Sequence, residues 1–283
     1  MTATWSELLR QTTAALGSDL DARRLIEAAS GRDGAELWDA LGDPAPERAA
    51  RRLAEMTERR RGGEPLQYVT GSWGFRRLDL MVDRRVLIPR PETEVVVEVA
   101  LAELRRISRP RPLLVDLGTG SGAIALALAD EGPEAEIWAT DVSAPALEVA
   151  TANLAGLGGR AAPRVRLAQG SWFSALPGEL AGRVDLVVSN PPYVAEGDEV
   201  EVEVARWEPP DALWSGPSGL EATDAILAEA PRWLARPGGV VLEVATARAR
   251  ETAARAEAAG FAVRLLPDLA GRDRVLVGRL ECP

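Results

Sequence analysis

The sequence predicts an α/β protein with a mostly parallel sheet and helices on both faces, preceded by a small helical bundle. Three observations support this fold class. The chain has 283 residues and an ordinary apolar share of 46%, enough for one large or two modest domains. After about residue 110, apolar runs alternate with helical segments, as expected of a parallel sheet. Before residue 62, apolar residues recur at helical spacing instead.

Composition excludes several kinds of chemistry. The chain has no histidine, and all 33 of its basic residues are arginines, so histidine bases, Schiff-base lysines and the P-loop lysine are excluded. The only cysteine is Cys282, so we expect no internal disulfide, no cysteine cluster and no metal. A net charge of −10 argues against direct binding of nucleic acid, whose affinity for proteins comes largely from Lys and Arg.

The N-terminal sequence lacks the basic and then apolar pattern of a signal peptide. No apolar run approaches the ~20 residues that span a bilayer. We therefore expect a soluble, cytoplasmic protein with no membrane partner. Its chemistry is expected to come from a cofactor or from amides and carboxylates.

Residues 1–62 predict a domain of four helices. Thr4 and Glu7 form a capping-box pattern ahead of the first helix, and Asp19 or Asp21 can cap the second. The other two predicted elements are a short segment holding Leu37, Trp38 and Leu41, and a helix over Pro44 to Arg61 that Gly62-Gly63 closes.

Residues 63–90 predict a β-hairpin linker between the two domains. Leu66 to Val69 and Trp73 to Val82 have the apolar pattern of short strands, with Arg76-Arg77 near the bend. Pro91 then suits the first turn of a long helix that ends near Ile107.

Residues 91–283 predict the α/β domain. Its strands are predicted at Leu113–Leu117, Ile137–Thr140, Val165–Ala168, Val184–Val188 and Val240–Val244, with a closing hairpin of Ala262–Leu266 and Val275–Leu280. Its later helices are predicted at Ala123–Asp130, Ala144–Leu157, Leu220–Leu234 and Arg248–Ala259, with a turn at Pro237-Gly238-Gly239.

A glycine-rich stretch, Gly118 to Gly122, links the first of these strands to a helix. Glycines let a backbone turn tightly and approach a ligand closely, although ordinary strand-to-helix turns use them too. Asp141 follows about 20 residues later, where an acidic residue can accept hydrogen bonds from both ribose hydroxyls of an adenosine cofactor. Trp172, just past the third strand, can stack on adenine or pack in the core.

The stretch Asn190-Pro191-Pro192-Tyr193 follows the fourth strand, where ligands of an open parallel sheet bind. An asparagine amide both accepts and donates hydrogen bonds. The prolines carry no N–H, so their carbonyls can point into a pocket, and Tyr193 offers a flat face. Together these residues could hold a planar –NH2 group by its two hydrogens. The alternative is a polyproline turn that only ends the strand.

The glycine loop lies within Asp116-Leu117-Gly118-Thr119-Gly120-Ser121-Gly122. This pattern resembles motif one of the S-adenosyl-L-methionine-dependent methyltransferases, rather than the Gly-x-Gly-x-x-Gly of dinucleotide-binding proteins. The cofactor is cationic and carries no pyrophosphate, which suits an acidic chain without lysine.

With the Asn-Pro-Pro-Tyr loop included, the chain from about Gly63 onward resembles the PrmC/HemK family of release-factor glutamine methyltransferases. The N-terminal region is similar in size and kind. One departure is Ala245-Thr246, where the family more often has glycine. The stretches that carry the resemblance are Gly63–Leu66 with Thr70-Gly71, Leu87–Glu94, Asp116–Leu128, Trp172–Leu176, Val188–Tyr193, Arg206–Pro209 and Gly271–Arg274.

The resemblance implies a Rossmann-like class I methyltransferase that acts in translation termination. Its substrate would be the glutamine of the Gly-Gly-Gln motif in class-one peptide chain release factors, methylated on the side-chain amide nitrogen (N5). The domain over residues 1–62 would grip the release factor. Implied cofactor-binding residues are Gly118, Thr119, Gly120, Ser121, Gly122, Asp141, Trp172 and Asn190. Implied substrate-binding residues are Asn190, Pro191, Pro192 and Tyr193, with Asn190, Pro191 and Tyr193 as the catalytic ones.

Two other functions remain open at this point. A nucleic-acid adenine-N6 methyltransferase uses the same Asn-Pro-Pro-Tyr pattern, and the acidic charge argues against it. The other is a non-catalytic nucleotide-binding Rossmann protein, for example one that binds NAD. Binding of S-adenosylhomocysteine or of NAD separates the last of these from a methyltransferase.

Overall fold

The structure is a computed structural model that describes residues 3–159 and 161–281; Cys282 lies outside the described residues. Its helices are α1 (Trp5–Leu16), α2 (Asp19–Ser30), α3 (Gly34–Asp39), α4 (Glu47–Arg61), α5 (Leu66–Thr70), α6 (Pro91–Ile107), α7 (Ala123–Glu131), α8 (Ala144–Leu157), α9 (Val202–Trp207), α10 (Glu221–Trp233) and α11 (Ala249–Ala258). Its strands are β1 (Ser72–Phe75), β2 (Leu78–Met81), β3 (Leu113–Leu117), β4 (Glu136–Asp141), β5 (Val165–Gln169), β6 (Val184–Ser189), β7 (Val194–Ala195), β8 (Trp214–Gly216), β9 (Leu234–Glu243), β10 (Ala262–Pro267) and β11 (Asp273–Leu280). Within these described ranges, no helix combines the length and apolar character needed to cross a membrane.

The chain divides into two compact units. The first comprises the residues up to Ser72 together with Glu201–Trp207, and the second comprises Trp73–Val200 and the residues from Glu208 onward. The division therefore falls at Ser72, between the predicted end of the helical domain at residue 62 and the predicted end of the linker at residue 90. Nothing in the local sequence of α9 indicates which unit it joins.

The first unit begins with the predicted capping box. The Glu7 backbone N–H donates to Thr4 Oγ1 at 3.3 Å, and the Thr4 N–H donates to Glu7 Oε2 at 2.9 Å. The predicted cap of α2 is wrong, because Ser18 is the N-cap and accepts from the Asp21 N–H at 3.2 Å. Asp19 and Asp21 lie within the first turn, where their charge favours the helix dipole.

Ion pairs within the first unit use the arginines at the end of α4. Arg59 pairs with Glu64 at 2.7 Å, and Arg60 pairs with Asp21 at 2.7 Å and with Glu203 of α9 at 3.3 Å. The buried apolar core of this unit includes Trp5, Leu25, Ile26, Leu37, Leu53 and Met56.

The stretch Leu66–Val69, predicted as a strand, is part of helix α5. Pro65 precedes it with φ −52° and Gly71 ends it with φ 82°, so proline and glycine mark the two helix ends in the usual order. Tertiary packing buries Tyr68 and Val69 and overrides their β preference. The predicted hairpin is confirmed in its second part, as β1 and β2.

The second unit contains a seven-stranded sheet in the order β10-β11-β9-β6-β3-β4-β5. Strands β3, β4, β5, β6 and β9 are parallel, whereas β11 is antiparallel to both β9 and β10. The prediction of a mostly parallel sheet with a hairpin at its edge is confirmed. The predicted Pro237-Gly238-Gly239 turn lies inside β9, and a Cβ on Gly239 would stand 2.7 Å from the Gly278 carbonyl, so only glycine permits this strand pairing.

Helices cover both faces of the sheet. Leu114 of β3 belongs to a core with Val96 of α6 and Leu126 of α7, whereas the neighbouring Val115 belongs to a second core with Ile226 of α10. Successive side chains of a strand point to opposite faces, so the two cores lie on the two sides of the sheet. Because β3, β4, β5, β6 and β9 are parallel, their carboxyl ends lie at one common edge of the sheet.

Candidate active site

A cleft of about 240 Å³ opens where β3, β4 and β6 end, the edge at which ligands of open parallel sheets bind. Three predicted site residues, Gly122, Pro191 and Tyr193, are not among those that line it. The predicted site residues that do line it are Gly118, Thr119, Gly120, Ser121, Asp141, Trp172, Asn190 and Pro192.

The glycine loop after β3 is held by backbone hydrogen bonds to β4. The N–H groups of Gly118 and Thr119 donate to the Thr140 carbonyl at 2.8 and 2.9 Å. Gly118 and Gly120 have φ of 72° and 56°, the left-handed region that glycine adopts readily. The loop therefore needs glycine for its conformation, and its backbone forms one wall of the cleft.

Asp116 lies buried beneath this loop. Its Oδ2 accepts from the Thr119 hydroxyl at 2.6 Å and from the Ala125 N–H at 3.1 Å, so it ties the loop to the first turn of α7. Burial raises the pKa of the Asp116 carboxyl to about 7. Among the described residues, its Oδ1 has no hydrogen-bond partner.

Asp141 ends β4 at the side of the cleft. Its Oδ2 accepts from the Gly120 N–H at 2.8 Å and its Oδ1 from the Ser143 N–H at 2.9 Å. Burial raises the pKa of the Asp141 carboxyl, and these backbone hydrogen bonds oppose the rise. Each carboxylate oxygen can accept a further hydrogen bond, so Asp141 fits the predicted role of ribose acceptor.

Trp172 lies between the cleft and the core, where packing is observed and stacking on adenine stays a prediction. It lines the cleft and also packs against the core on one face of the sheet. Its φ of 47° is unusual for a residue that is not glycine. A Cβ on Gly118 would lie 3.7 Å from the Trp172 ring, so this ring stands directly over the glycine loop.

Asn190 follows β6 and is half-buried in the cleft wall. The Ser189 hydroxyl donates to the Leu117 carbonyl at 2.6 Å and joins the ends of β6 and β3. The Asn190 Nδ2 donates to Thr93 Oγ1 at 3.2 Å, and the Thr93 hydroxyl donates to Glu243 Oε2 at 2.7 Å. A buried polar chain thus connects the loop to α6 and to the end of β9.

The remaining predicted residues are placed around that chain. Tyr193 directs its hydroxyl to Glu243 Oε1 at 3.4 Å, and burial raises the pKa of this phenol. Pro191 is buried. Gly122 has φ 86°, and a Cβ there would lie 3.1 Å from the Leu126 side chain, so Gly122 serves the fit between loop and helix.

Two residues of the polar chain, Thr93 and Glu243, were missed by the sequence reasoning. Glu243 is an acidic residue within the apolar run Val240-Val241-Leu242-Glu243-Val244, and buried charged groups of this kind need partners. That interruption is the signal that could have found it. Thr93 carries no comparable signal, because a threonine in a first helical turn is ordinary.

Burial raises the pKa of the Glu243 carboxyl to about 6. The hydrogen bonds from Thr93 and Tyr193 and the charge of Arg274 favour the ionised form, whereas the charge of Glu92 opposes it. The carboxylate is therefore the main form at neutral pH.

Comparisons with known proteins agree with this geometry. Residues 6–71 match the profile of the PrmC N-terminal domain, and residues 99–207 match that of the methyltransferase small domain. A crystal structure of a methyltransferase from Pyrococcus furiosus has a TM-score of 0.52 at 19% sequence identity, covering 72% of this chain and 90% of that one. It supports the class I methyltransferase fold.

Curated relatives extend the match over nearly the whole chain. The release factor glutamine methyltransferase of Cereibacter sphaeroides is 45% identical, with 92% of this chain and 90% of that protein covered. The protein of the same name from Deinococcus radiodurans is 37% identical, with 96% and 97% covered. The chain therefore belongs to the release factor glutamine methyltransferase family.

Proposed function

We propose that this protein uses S-adenosyl-L-methionine to methylate the side-chain amide nitrogen of the glutamine in the Gly-Gly-Gln motif of class-one release factors. One observation carries the proposal. The glycine loop, Asp141 and Asn190 line a single cleft, so a cofactor site and an amide-binding group are adjacent. The names of the curated relatives support the same substrate.

The residues present fit S-adenosyl-L-methionine. Asp141 offers acceptors for two ribose hydroxyls, and Trp172 offers a ring for adenine. Asp116 holds the glycine loop against the cleft, because its Oδ2 accepts from the Thr119 hydroxyl at 2.6 Å and from the Ala125 N–H at 3.1 Å. The cofactor would supply an electrophilic methyl group on a positively charged sulfur.

The reaction requires the protein to overcome the weak nucleophilicity of an amide nitrogen. In our proposal the Asn190 Oδ1 and the Pro191 carbonyl accept the two hydrogens of the substrate amide and orient its nitrogen toward the methyl group. These acceptors also stabilise the positive charge that builds on the nitrogen. The surplus proton is acidic after transfer and leaves to water. Tyr193 would support the loop that positions the substrate.

The first compact unit is proposed to bind the release factor outside its glutamine. Within this unit, Leu20 is 64% exposed and Trp38 is 56% exposed, and exposed aromatic groups are common anchors of protein interfaces. Trp38→Ser should therefore raise the KM for an intact release factor and leave the KM for a short Gly-Gly-Gln peptide unchanged. Equal effects on both substrates would contradict this assignment.

The decisive experiment is mass spectrometry after incubation with a purified release factor and S-adenosyl-L-methionine. We expect one added methyl group on the glutamine of the Gly-Gly-Gln peptide. Parallel reactions with DNA and RNA should show no transfer. Methylation of adenine with an unmodified release factor would overturn the proposal in favour of the adenine-N6 alternative.

A further inference from the structure

Three polar groups form a continuous chain from the interior to the cleft. Glu243 is 1% exposed and Thr93 is 4% exposed, so water does not compete for their hydrogen bonds. The Thr93 Oγ1 lies 2.7 Å from Glu243 Oε2 and 3.2 Å from the Asn190 Nδ2. Asn190 and Thr93 line the cleft together with the glycine loop, whereas Glu243 lies behind them.

The direction of each hydrogen bond follows from the chemistry of the groups. An ionised carboxylate only accepts hydrogen bonds, and a threonine hydroxyl has a single hydrogen to donate. Thr93 must give that hydrogen to Glu243, so toward Asn190 its oxygen can only accept. Asn190 must therefore present its –NH2 to Thr93, and its Oδ1 is directed to the other side.

We propose that Glu243 and Thr93 are positioning residues that fix the orientation of the Asn190 carboxamide, so that its Oδ1 is the atom available to the substrate. The inference rests on the proposed function for its consequence, because the substrate amide must be held by an acceptor. It extends that function to two further residues, which act on the substrate through Asn190.

The opposite orientation of Asn190 would be unproductive. Its –NH2 would then face the –NH2 of the substrate, and two donors cannot pair. The flipped asparagine could still donate to the substrate carbonyl, so substrate would bind in a pose that does not react. A loss of orientation should therefore lower kcat more than it changes KM.

The negative charge of Glu243 fixes the donor and acceptor of each hydrogen bond between Glu243, Thr93 and Asn190. The groups that face it are Thr93 and Glu92 from α6, Tyr193 from the loop after β6, and Arg274 from β11. Once protonated, the carboxyl could donate to Thr93, and the Thr93 hydroxyl would then be free to donate to Asn190. Since burial raises the pKa of Glu243 to about 6, turnover should fall as the pH drops through that value.

A matched pair of substitutions at Thr93 tests the chain. Thr93→Ser keeps the hydroxyl and should retain kcat within about twofold, whereas Thr93→Val keeps the shape and leaves the asparagine donor without an acceptor. Because an unpaired buried polar group is costly, kcat of Thr93→Val should fall on the order of tenfold, with KM nearly unchanged. Thermal unfolding and calorimetry with S-adenosylhomocysteine check that both variants fold and bind the cofactor product.

Glu243→Gln is the second test and does not depend on the Thr93 variants. Glutamine can either accept from or donate to Thr93, so the direction is no longer enforced at any pH. The wild-type kcat should show an acid limb near pH 6, and the Glu243→Gln profile should be lower and lack that limb. Equal kcat in the valine and serine variants, or an unchanged limb in Glu243→Gln, would overturn the proposal.

A readout without turnover separates this inference from the proposed function. In ¹⁵N-resolved NMR, the Asn190 side-chain –NH2, assigned by its loss in Asn190→Ala, should exchange slowly with water in wild type and Thr93→Ser. It should exchange faster in Thr93→Val. If the wild type does not methylate a release factor but shows this exchange pattern, the proposed function is wrong and the orientation of Asn190 by Thr93 and Glu243 is still supported. Equal exchange in all three proteins overturns the chain whatever the substrate.

Discussion

Two buried pairs of a carboxylate and a threonine lie at the carboxyl edge of the sheet. Below the glycine loop, the Thr119 hydroxyl donates to Asp116 at 2.6 Å; below the Asn-Pro-Pro-Tyr loop, the Thr93 hydroxyl donates to Glu243 at 2.7 Å. The local chemistry is the same in both pairs. The two pairs differ in the group that each one contacts next, and we expect them to serve different functions for that reason.

The Asp116 pair holds the backbone of the glycine loop in place, because its carboxylate also accepts from the Ala125 N–H. The Glu243 pair acts on a side chain, because Thr93 accepts from Asn190. Only Glu243 faces a cationic group, Arg274, and the pKa of its carboxyl rises less, to about 6 rather than about 7. We therefore expect the first pair to support cofactor binding and the second to support turnover.

Asn190→Ala should produce the largest effect on turnover. It removes the side chain through which the Glu243–Thr93 pair acts on the substrate. Removing one preorganised polar contact costs on the order of 100-fold or more in rate, so methylation should nearly vanish. Calorimetry should show that affinity for S-adenosylhomocysteine falls far less than turnover does. If turnover stayed near the wild-type level, the proposed mechanism would be wrong.

Asp116→Asn should produce the complementary effect. An asparagine keeps one acceptor for the Thr119 hydroxyl and the Ala125 N–H, which both donate to Oδ2, but it places a buried –NH2 at the Oδ1 position, where the described residues supply no partner. This unpaired group should disturb the glycine loop and weaken affinity for S-adenosylhomocysteine on the order of tenfold. At saturating cofactor, kcat should recover most of its value. A variant that lost kcat and kept its affinity would remove the distinction between the two pairs.

Thermal stability should depend on pH over a wider range for the Asp116 pair than for the Glu243 pair. Folding raises the pKa of Asp116 from 3.8 to about 7 and that of Glu243 from 4.5 to about 6. A raised pKa means that the folded state binds the proton more tightly, so the contribution to stability is present at low pH and is lost as pH rises through the folded value. Relative to Asp116→Asn, the Tm of the wild type should therefore fall between about pH 4 and pH 7.

The matched comparison for that measurement is Glu243→Gln. Relative to Glu243→Gln, the Tm of the wild type should also fall as the pH rises, over the narrower window from pH 4.5 to about 6. Tm values that are parallel across pH for the wild type and both variants would contradict the raised pKa values.

Tyr193→Phe should produce the smallest effect. The hydrogen bond from Tyr193 to Glu243 is long, at 3.4 Å, and a single such bond contributes about 1 kcal/mol or less. Its loss removes a donor to the ionised carboxyl, so the acid limb of kcat should move to slightly higher pH with the plateau within about threefold. A limb that moved to lower pH would show that the phenol does not stabilise the carboxylate.

Sequence patterns were most informative where one segment determines its own structure. The alternation of apolar runs and helices predicted the sheet, and the glycine loop, Asp141 and Asn190 were placed at one edge because parallel strands end there. The strand prediction for Leu66–Val69 failed because its β-branched and aromatic residues are buried on a helix. Local propensity cannot register such packing.

The Glu243–Thr93–Asn190 chain was beyond sequence reasoning for a different reason. Its members are separated by 150 and 97 positions in the chain, so no local pattern contains two of them. The sequence could indicate that Glu243 interrupts an apolar run. Only the folded arrangement of α6, β6 and β9 shows which hydroxyl satisfies it.

The composition of the first unit has a consequence for synthesis on the ribosome. Its residues are discontinuous in the chain, since Arg60 of α4 pairs with Glu203 of α9 at 3.3 Å. Domains generally fold as units while the chain is being made, the N-terminal one first. Helix α9 can pack on the first unit only after residue 207 has left the ribosome. Until then, the surface of the first unit that contacts α9 stays exposed on the nascent chain.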